Sequence, residues 1–337
     1  MTGTRFDVLG VGNAIVDVLA RVDDAFVDTH GLAKDAMLLI DEERAEQLYA
    51  AMPPGQEISG GSAANSLAGI ASLGARGAYI GKVAEDQLGE VFAHDLRAAG
   101  VHYDTAPLFG GPATARCLIA VPPDARRAMN TFLGASALIN EDDIDPGLVK
   151  ASSVTFLEGY LFDRPEAKTA FVRAAEIAQA NDRRVALTLS DIFCVERHRA
   201  SFRQLVKNHI DVLFANEAEL KSLYELDDFD AALAAVRAET RVAAVTRSEK
   251  GAVIVSGDAE ARIPAQEVGQ VVDTTGAGDL FAAGFLAAYA RGMSLDACGR
   301  LGVIAASEII SHMGARPQTG LQALAARQGL ELPDAEA

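Results

Sequence analysis

The chain has 337 residues, half of them hydrophobic, and its 30 lysines and arginines against 47 aspartates and glutamates give a formal net charge of −17. This length and apolar content suit one large α/β domain or two ordinary ones and exclude a disordered chain. The excess of carboxylates argues against sequence-independent binding to nucleic acids or membranes, because it repels phosphate groups.

The cysteines and the start of the chain bear on where the protein works. Cys117, Cys194 and Cys298 are widely spaced and form no CxxC pair, so we expect buried, reduced thiols rather than a disulfide framework or a zinc site. The first residues lack a signal-peptide pattern, and no apolar run reaches about 18 residues. A cytoplasmic protein is therefore expected.

Strand-like and helix-like segments alternate along the chain. Segments such as VALTL and DVLFA are continuously apolar, as expected where helices cover both faces of a parallel sheet. The predicted order is strand 6–12, helix 66–75, strand 78–83, helix 90–101, strand 153–160, helix 167–181, and strands 184–190, 211–217, 243–248 and 251–256. This order predicts a doubly wound α/β fold.

Two stretches break this rhythm. Residues 14–22 alternate apolar and polar side chains, and residues 113–133 read as two strands joined by a Pro-Pro-Asp-Ala turn. A small sheet of this kind over one edge of an α/β core is typical of a lid. We therefore predict one domain over residues 1–332, with a lid formed by about 14–52 and 110–134 that includes a helix stopped by Pro53, and a loose tail at 333–337.

Two familiar nucleotide-binding motifs are incomplete. The Gly10-Val11-Gly12 segment follows a strand, but the third glycine of a dinucleotide fingerprint is replaced by Ile15, and strand-like residues follow instead of a helix. The Gly-Lys pair at 81–82 precedes Val83 rather than the serine or threonine of a P-loop. Another element must hold any triphosphate.

Residues 273–279, Asp-Thr-Thr-Gly-Ala-Gly-Asp, open an apolar helix. Gly276, Ala277 and Gly278 have almost no side chain, so their backbone N–H groups can converge on an anion at the helix N-terminus. Asp279 lies in the first turn, where the helix dipole favours an ionised acceptor. The alternative is an ordinary helix start, since aspartate is common there.

This segment and residues 60–89, GGSAANSLAGIASLGARGAYIGKVAEDQLG, resemble the two signatures of the ribokinase-like carbohydrate and nucleoside kinases. The resemblance covers the chain from Val8 to about Pro317. It implies a doubly wound, mostly parallel sheet with a small β-sheet lid, and transfer of a phosphoryl group from ATP to an alcohol. It also implies that Asp279 is the catalytic base and that residues 276–278 stabilise the transferred phosphoryl group.

The same resemblance assigns residues on the ATP side. Asn216 and Glu219 match an Asn-x-x-Glu element that holds Mg²⁺ through water, as suits a cation that keeps several waters. Without Asn216, Glu219 would be read as a solvated helix carboxylate. Further matches are Asp273 and Thr275 to a monovalent-cation (K⁺) loop found in some members, Thr246, Ser248 and Gly251 to the nucleotide site, and His312 to a structural or adenine-contacting position. Ser248 stands where the family has glycine.

On the acceptor side, the resemblance points to short polar residues that hold hydroxyl groups. Asn13 and Asp17 lie at the first strand and its continuation, and Gly61, Ser62 and Asn65 open the glycine-rich helix. Each of these side chains can give or take hydrogen bonds with vicinal hydroxyls. The alternatives are a solvated strand residue for Asp17 and a polar helix residue for Asn65.

Residues 26–52 resemble an insertion of the adenosine kinase branch that supplies part of a purine pocket. Met37, Phe132 and Tyr160 are candidate apolar walls, although Met37 and Phe132 also suit a lid core. Arg126 aligns with a basic lid residue near the terminal phosphate, with a solvated turn charge as the alternative.

The expected activity is therefore Mg²⁺- and ATP-dependent phosphorylation of the 5′-hydroxyl of a purine nucleoside, with adenosine as the expected acceptor. Inosine, guanosine, cytidine, ribose or fructose as the acceptor, and a nucleoside sensor without turnover, are the alternatives. We expect no nucleic-acid or membrane partner and a monomer or homodimer.

Overall fold

The computed structural model describes residues 4–34, 36–124 and 126–334. Of the predicted tail, residues 335–337 lie outside the described residues. The strands are β1 (Phe6–Val11), β2 (Ile15–Arg21), β3 (Ala36–Leu39), β4 (Gln56–Gly60), β5 (Gly77–Ile80), β6 (His102–Tyr103), β7 (Ala115–Val121), β8 (Ala128–Phe132), β9 (Ser152–Glu158), β10 (Arg184–Thr188), β11 (Val212–Asn216), β12 (Val242–Thr246), β13 (Ala252–Ser256) and β14 (Ala259–Ile263).

The α-helices are α1 (Asp24–Thr29), α2 (Glu42–Ala51), α3 (Ser62–Ser72), α4 (Gln87–Ala98), α5 (Pro146–Lys150), α6 (Pro165–Gln179), α7 (Ile192–His209), α8 (Glu217–Tyr224), α9 (Phe229–Arg237), α10 (Ala277–Ala290), α11 (Leu295–Ile309) and α12 (Leu321–Arg327). Short 3-10 helices cover Gly134–Leu138, Glu141–Asp143, Gly159–Asp163 and Ser248–Lys250. None of the helices in the described part of the chain is both long and apolar enough to span a membrane.

The large sheet has nine strands in the order β14-β13-β12-β11-β10-β9-β1-β5-β6. Pairing is parallel from β12 to β6, and β13 and β14 add an antiparallel end. Side chains of α3, α10 and α11 pack on one face, and those of α6, α7, α8 and α9 pack on the other. The predicted doubly wound fold is confirmed, and the continuously apolar strands reflect burial on both faces.

The small sheet has the order β3-β8-β7-β2-β4, with β2 parallel to β7 and antiparallel to β4. The strands predicted within 14–22 and 113–133 are present as β2, β7 and β8. The sheet also includes β4, which lies outside the predicted lid ranges, and the four-residue β3. Two short links carry the chain from this sheet to the core: residues 12–14 between β1 and β2, and Gly61 between β4 and α3.

Gly61 makes the second link possible. Its φ of +91° is one that side chains rarely adopt, and an added Cβ would lie 2.2 Å from the carbonyl oxygen of Asn13. Only glycine fits such a close approach of two backbone segments. The two links therefore meet beside the C-terminal ends of the parallel strands, where open α/β sheets bind their ligands.

Candidate active site

Asp279 lies in the first turn of α10 and connects this helix to α3. Its Oδ1 accepts a hydrogen bond from Ser62 Oγ (2.6 Å) and its Oδ2 accepts one from Asn65 Nδ2 (3.0 Å). The Ser66 hydroxyl donates to the Asp279 backbone oxygen (2.9 Å). Burial raises the pKa of Asp279, and the hydrogen bonds from Ser62 and Asn65 oppose this rise. The carboxylate is thus fixed in position while its basicity is increased.

A second buried carboxylate, Glu158, lies at the end of β9. Its Oε1 accepts from Asn13 Nδ2 (2.8 Å) and its Oε2 accepts from the backbone N–H of Ala63 (2.9 Å). The other end of the Asn13 amide accepts from Ser136 Oγ (3.0 Å). Burial raises the pKa of Glu158 to about 7. Glu158 therefore joins the first link to the N-terminus of α3, where the helix dipole favours a negative charge.

Asp17 projects from the middle of β2 towards the same region. Its carboxylate lies against Gly60, where an added Cβ would be 2.4 Å from Oδ2. Burial raises the pKa of Asp17 to about 7, and Asp279 adds to the rise, while Arg316 and Arg127 oppose it. Three carboxylates, Asp17, Asp279 and Glu158, are thus held close together.

Arg316, from the loop after α11, supplies positive charge beside them. Its guanidinium donates to the carbonyl oxygens of Ser59 (2.7 Å) and Ala64 (2.6 Å) on either side of Gly61. Burial lowers its pKa to about 10, against the opposing effect of Asp17. Arg316 thereby holds the second link and balances part of the acidic charge.

The face of the small sheet that carries Asp17 is otherwise apolar. Strand register places Asp17 beside Cys117, and the alternation of side chains puts their neighbours two residues away on the same face. We call the following cluster the apolar patch: Ile15, Leu19, Cys117, Ile119, Val121, Met129 and Met313. Several of these side chains are only partly buried, so the patch offers apolar surface next to Asp17.

The three predicted purine-wall residues lie in different surroundings. Met37 is 43% exposed in the edge strand β3, whereas Phe132 is buried at the end of β8 with the Arg116 guanidinium 5.8 Å from its ring centre. Tyr160 follows β9, and burial raises the pKa of its hydroxyl, with Asp191 and Asp279 adding to the rise. The predicted wall is thus spread over two strands and a 3-10 helix.

The start of α10 has the form expected of an anion-binding helix terminus. Gly276 caps the helix with φ +80° and ψ 0°, and an added Cβ would lie 2.9 Å from Ala315. An added Cβ at Gly278 meets nothing within 4 Å, so space is open in front of the first turn. A helix start leaves N–H groups without intrahelical partners, which is why such a terminus suits an anion, and here the Ala277 N–H already donates to the Thr274 oxygen (3.2 Å).

Asn216 and Glu219 form a closed pair at the start of α8. Glu219 N donates to Asn216 Oδ1 (2.8 Å), Asn216 N donates to Glu219 Oε2 (2.9 Å), and the Asn216 amide donates to Glu219 Oε1 (2.6 Å). Glu219 is 6% exposed, and burial raises its pKa to about 7, with Asp191 adding to the rise. Thr246 lies directly beside Asn216 in the sheet.

Within the described ranges, no three histidine, cysteine, aspartate or glutamate side chains form a metal-binding group. The Asn216–Glu219 pair, with Asp191 nearby, suits a cation held mainly by phosphate oxygens and water rather than by a protein cage. These residues therefore fit Mg²⁺ that arrives with a nucleotide.

The turn after β12 contains the departure from the family pattern. Ser248 adopts φ +50°, the left-handed conformation that glycine occupies without strain. Gly251, with φ +82°, closes the turn, and an added Cβ would lie 2.0 Å from the Ile263 oxygen. The serine thus keeps the backbone shape of a glycine at this turn.

Arg126 and His312 lie at the edge of the site. Arg126 is exposed in the turn between β7 and β8, where its backbone N–H donates to Asp124 (3.1 Å). His312 lies 3.2 Å from the carboxylate of the buried Glu308, which also accepts the backbone N–H of Thr319.

Asp273 forms an ion pair with Arg127, the residue after Arg126. The Arg127 Nη2 to Asp273 Oδ2 distance is 2.6 Å, and both side chains are less than 10% exposed. Asp273 Oδ1 accepts from the Thr275 hydroxyl (2.8 Å) and N–H (3.1 Å), and Oδ2 accepts from Gly314 N (2.9 Å). This pair joins the small sheet to the loop that leads into α10.

Sequence reasoning missed Glu158, Arg316, Arg127 and most of the apolar patch. Glu158 carried one usable signal, because a charged residue that ends an apolar parallel strand lies where such sheets bind ligands. Arg316 and Arg127 contact groups more than 100 residues away, and no local pattern reports such contacts.

The chain is similar to known kinases over nearly its whole length. Residues 31–320 match the pfkB family of carbohydrate kinases. The crystal structure of a probable sugar kinase from Rhizobium etli CFN 42 is 50% identical with a TM-score of 0.90, and covers 97% of this chain and 99% of its own. The adenosine kinase from Sinorhizobium meliloti is 52% identical with a TM-score of 0.88, over 96% and 99% of the two chains.

Among sequence relatives, adenosine kinase 1 from Arabidopsis thaliana is 26% identical, over 93% of this chain and 97% of its own. The fold and these relatives define the class of protein: a phosphotransferase that acts on an alcohol group. The chain belongs to the pfkB carbohydrate kinase family, whose ribokinase-like fold it shares, and lies near the adenosine kinases within it.

Proposed function

We propose that this kinase transfers the γ-phosphoryl group of ATP to the 5′-hydroxyl of a purine nucleoside, and that adenosine is its acceptor. The observation that carries the proposal is the face of the small sheet on which Asp17 lies within the apolar patch. The similarity to the adenosine kinase from Sinorhizobium meliloti supports it.

The two parts of this face suit the two parts of a nucleoside. A ribose ring presents vicinal hydroxyls, which a carboxylate such as Asp17 accepts as hydrogen-bond donors, with Asn13 close by. A purine base requires apolar surface, which the partly buried Ile15, Leu19 and Met129 provide next to Asp17. A free sugar has no group that would use this patch.

In the proposed reaction, Asp279 accepts the proton of the attacking 5′-hydroxyl as that oxygen bonds to the γ-phosphorus, while the bond from the γ-phosphorus to the β,γ-bridging oxygen breaks and ADP leaves with that oxygen. The hydrogen bonds from Ser62 and Asn65 aim the carboxylate, and its raised pKa makes it a better base. Backbone N–H groups at residues 276–278 and the dipole of α10 stabilise the negative charge on the transferred group.

On the ATP side, Asn216, Glu219 and Thr246 would lie towards the Mg²⁺ and phosphates, with Gly251 shaping the nucleotide turn and His312 lying near the base. When bound with ATP, Mg²⁺ would supply positive charge that offsets the charge of the phosphate oxygens. Arg126, on the exposed turn, would approach the terminal phosphate.

An acceptor panel tests the proposal. ADP release is measured with adenosine, inosine, guanosine, cytidine, ribose and fructose at matched concentrations. Adenosine should exceed ribose in kcat/KM by about tenfold to a hundredfold, because burying an apolar side chain such as Met129 against the purine base contributes about 1.5–3 kcal/mol. Equal or better turnover of a free sugar would contradict the nucleoside assignment, and ATP-independent binding without turnover would favour a sensor.

A variant of the apolar patch tests where the purine base binds. Met129→Ser should reduce kcat/KM for adenosine and leave any ribose turnover unchanged, because only the purine base contacts the patch. Met293→Ser is the matched control, since Met293 is also a partly buried methionine but lies beyond the other end of α10. Equal loss with both acceptors would remove the patch from the site.

A further inference from the structure

The sequence resemblance attributes a monovalent-cation site to the loop of Asp273, and the structure disagrees. A carboxylate has about four positions at which it accepts donors or cations. At Asp273 all four are in use: the Thr275 hydroxyl and N–H on Oδ1, and Gly314 N and Arg127 Nη2 on Oδ2.

The charge balance points the same way. Asp273 and Arg127 are 8% and 9% exposed, so the single negative charge is already neutralised by a buried positive charge at 2.6 Å. A further cation at this carboxylate would have to displace the guanidinium or lie beside it, where like charges repel strongly at reduced dielectric. The residues present do not fit a bound monovalent cation.

Arg127 also contacts the apolar patch, which lies on the acceptor side of the candidate site. Its Nη2 lies 3.2 Å from Met313 Sδ, and Met313 belongs to the apolar patch. Its charge opposes the burial effect at Asp17. Arg127 therefore lies between the carboxylate that faces the acceptor and the loop that leads into the anion-binding turn.

We propose that Arg127 acts as a built-in cation: it replaces a monovalent cation at Asp273, fixes the loop that precedes Gly276, and makes the enzyme independent of K⁺. Arg127 is a positioning residue, since it acts on the phosphoryl group through Asp273 and the loop. Arg127 lies in the turn before β8. The loop that precedes Gly276 therefore takes its active shape only when the small sheet is in place. The turnover part of this inference rests on the proposed function.

The experiment compares the wild type with Arg127→Met and Arg127→Lys in KCl and in tetramethylammonium chloride at equal ionic strength. MgATP binding is measured by calorimetry without an acceptor, and turnover is measured with adenosine. The wild type should bind MgATP and turn over equally in both salts. Arg127→Met should lose about a hundredfold in kcat in tetramethylammonium, the size of effect expected when catalytic groups shift by about 1 Å.

K⁺ or added guanidinium should restore part of the activity and MgATP affinity of Arg127→Met, and Arg127→Lys should keep most of both. Arg203→Met is the matched control, because Arg203 forms a 2.6 Å ion pair with Glu239 on the α7 side of the core. It should show no salt dependence.

Three results would overturn the proposal: a wild type that requires K⁺, an Arg127→Met enzyme as active as the wild type, or a folded Arg127→Met enzyme that no cation restores. Absence of turnover with adenosine in the wild type, with MgATP binding intact, would instead refute the proposed acceptor. The calorimetric comparison would still decide whether Arg127 replaces the cation.

Discussion

The acceptor half and the ATP half of the candidate site are built in different ways. The acceptor half depends on hydrogen bonds between side chains. Ser62 and Asn65 donate to Asp279, and Asn13 donates to Glu158. On the ATP half, the main elements are backbone N–H groups at the start of α10 and tight turns such as the one at Ser248.

This difference shows how a chain with a net charge of −17 can receive a phosphate group. Asp17, Asp279 and Glu158 lie where hydroxyl donors are expected, and the backbone dipole at the start of α10 faces the side where the anion is expected. Substitution of side chains that face the acceptor should therefore damage the acceptor half, whereas the ATP half should respond to changes of backbone shape and to loss of side chains that fix that shape, such as Arg127.

Replacing the carboxylate of Asp279 should have the largest effect. Asp279→Ala is expected to lower kcat by about 10²–10⁴-fold, the usual contribution of a general base, while adenosine affinity stays nearly unchanged. Steady-state kinetics and calorimetric titration with adenosine measure the two quantities.

Asp279→Asn is the control for this variant, because it keeps the hydrogen bonds to Ser62 and Asn65 possible while removing the base. It should be as slow as Asp279→Ala. A near-normal kcat in either variant would rule out Asp279 as the base.

Removing the charge of Asp17 should act on acceptor binding. Hydrogen bonds to a charged group contribute about 1.5–3 kcal/mol, so Asp17→Asn should raise the KM for adenosine by about tenfold to a hundredfold. The KM for ATP should stay within about twofold, because the ATP half does not use this side chain. An unchanged adenosine KM would place Asp17 outside the site.

The pH dependence of the KM for adenosine provides a further test of Asp17. The pKa of Asp17 is raised to about 7 by burial, so the carboxylate gains its proton as the pH falls through 7. A protonated Asp17 accepts hydroxyl donors less well, and the KM for adenosine should therefore rise from pH 8 to pH 6. In Asp17→Asn this part of the rise should disappear; a profile that keeps it would assign the titration to another group.

The smallest effect is expected at Ser248. Relief of its left-handed φ in Ser248→Gly should raise the free energy of unfolding by at most about 1 kcal/mol, since left-handed backbone costs a non-glycine residue roughly 1–2 kcal/mol and glycine loses more entropy on folding. Urea denaturation measures it. Ser256→Gly, at the end of β13, should instead destabilise slightly, and an equal response of the two variants would contradict the strain argument.

The elements with strong local patterns were predictable from the sequence. The apolar strands β10 and β11 and the α10 helix follow from hydrophobicity and from the glycines before Asp279. The four-residue β3, with three exposed apolar side chains, has no alternation that distinguishes it from a loop. Its position depends on pairing with β8, which no short window of sequence reveals.

For the candidate site, the resemblance to the kinase family pointed to residues within the two signature motifs. It did not point to residues whose contacts are distant in the sequence. Arg316 reads as a charge after a helix, yet it donates to the carbonyls of Ser59 and Ala64 more than 250 residues earlier in the chain. Asp273 lies in the loop before α10, and its ion-pair partner Arg127 lies in the turn before β8, so no local pattern reports their contact. Such contacts depend on tertiary packing alone.

The two links between the small sheet and the core have a mechanical consequence. Asn13 and Gly61 lie in these two short links, and they adjoin Glu158 and Ser62, which donates to the carboxylate of Asp279. Because these links lie inside the candidate site, the small sheet cannot rotate about them without changing the directions of the side chains that face the acceptor. A rotation of the small sheet about these links would therefore change the directions of the groups that face the acceptor hydroxyls, even though its distant edge would move farthest.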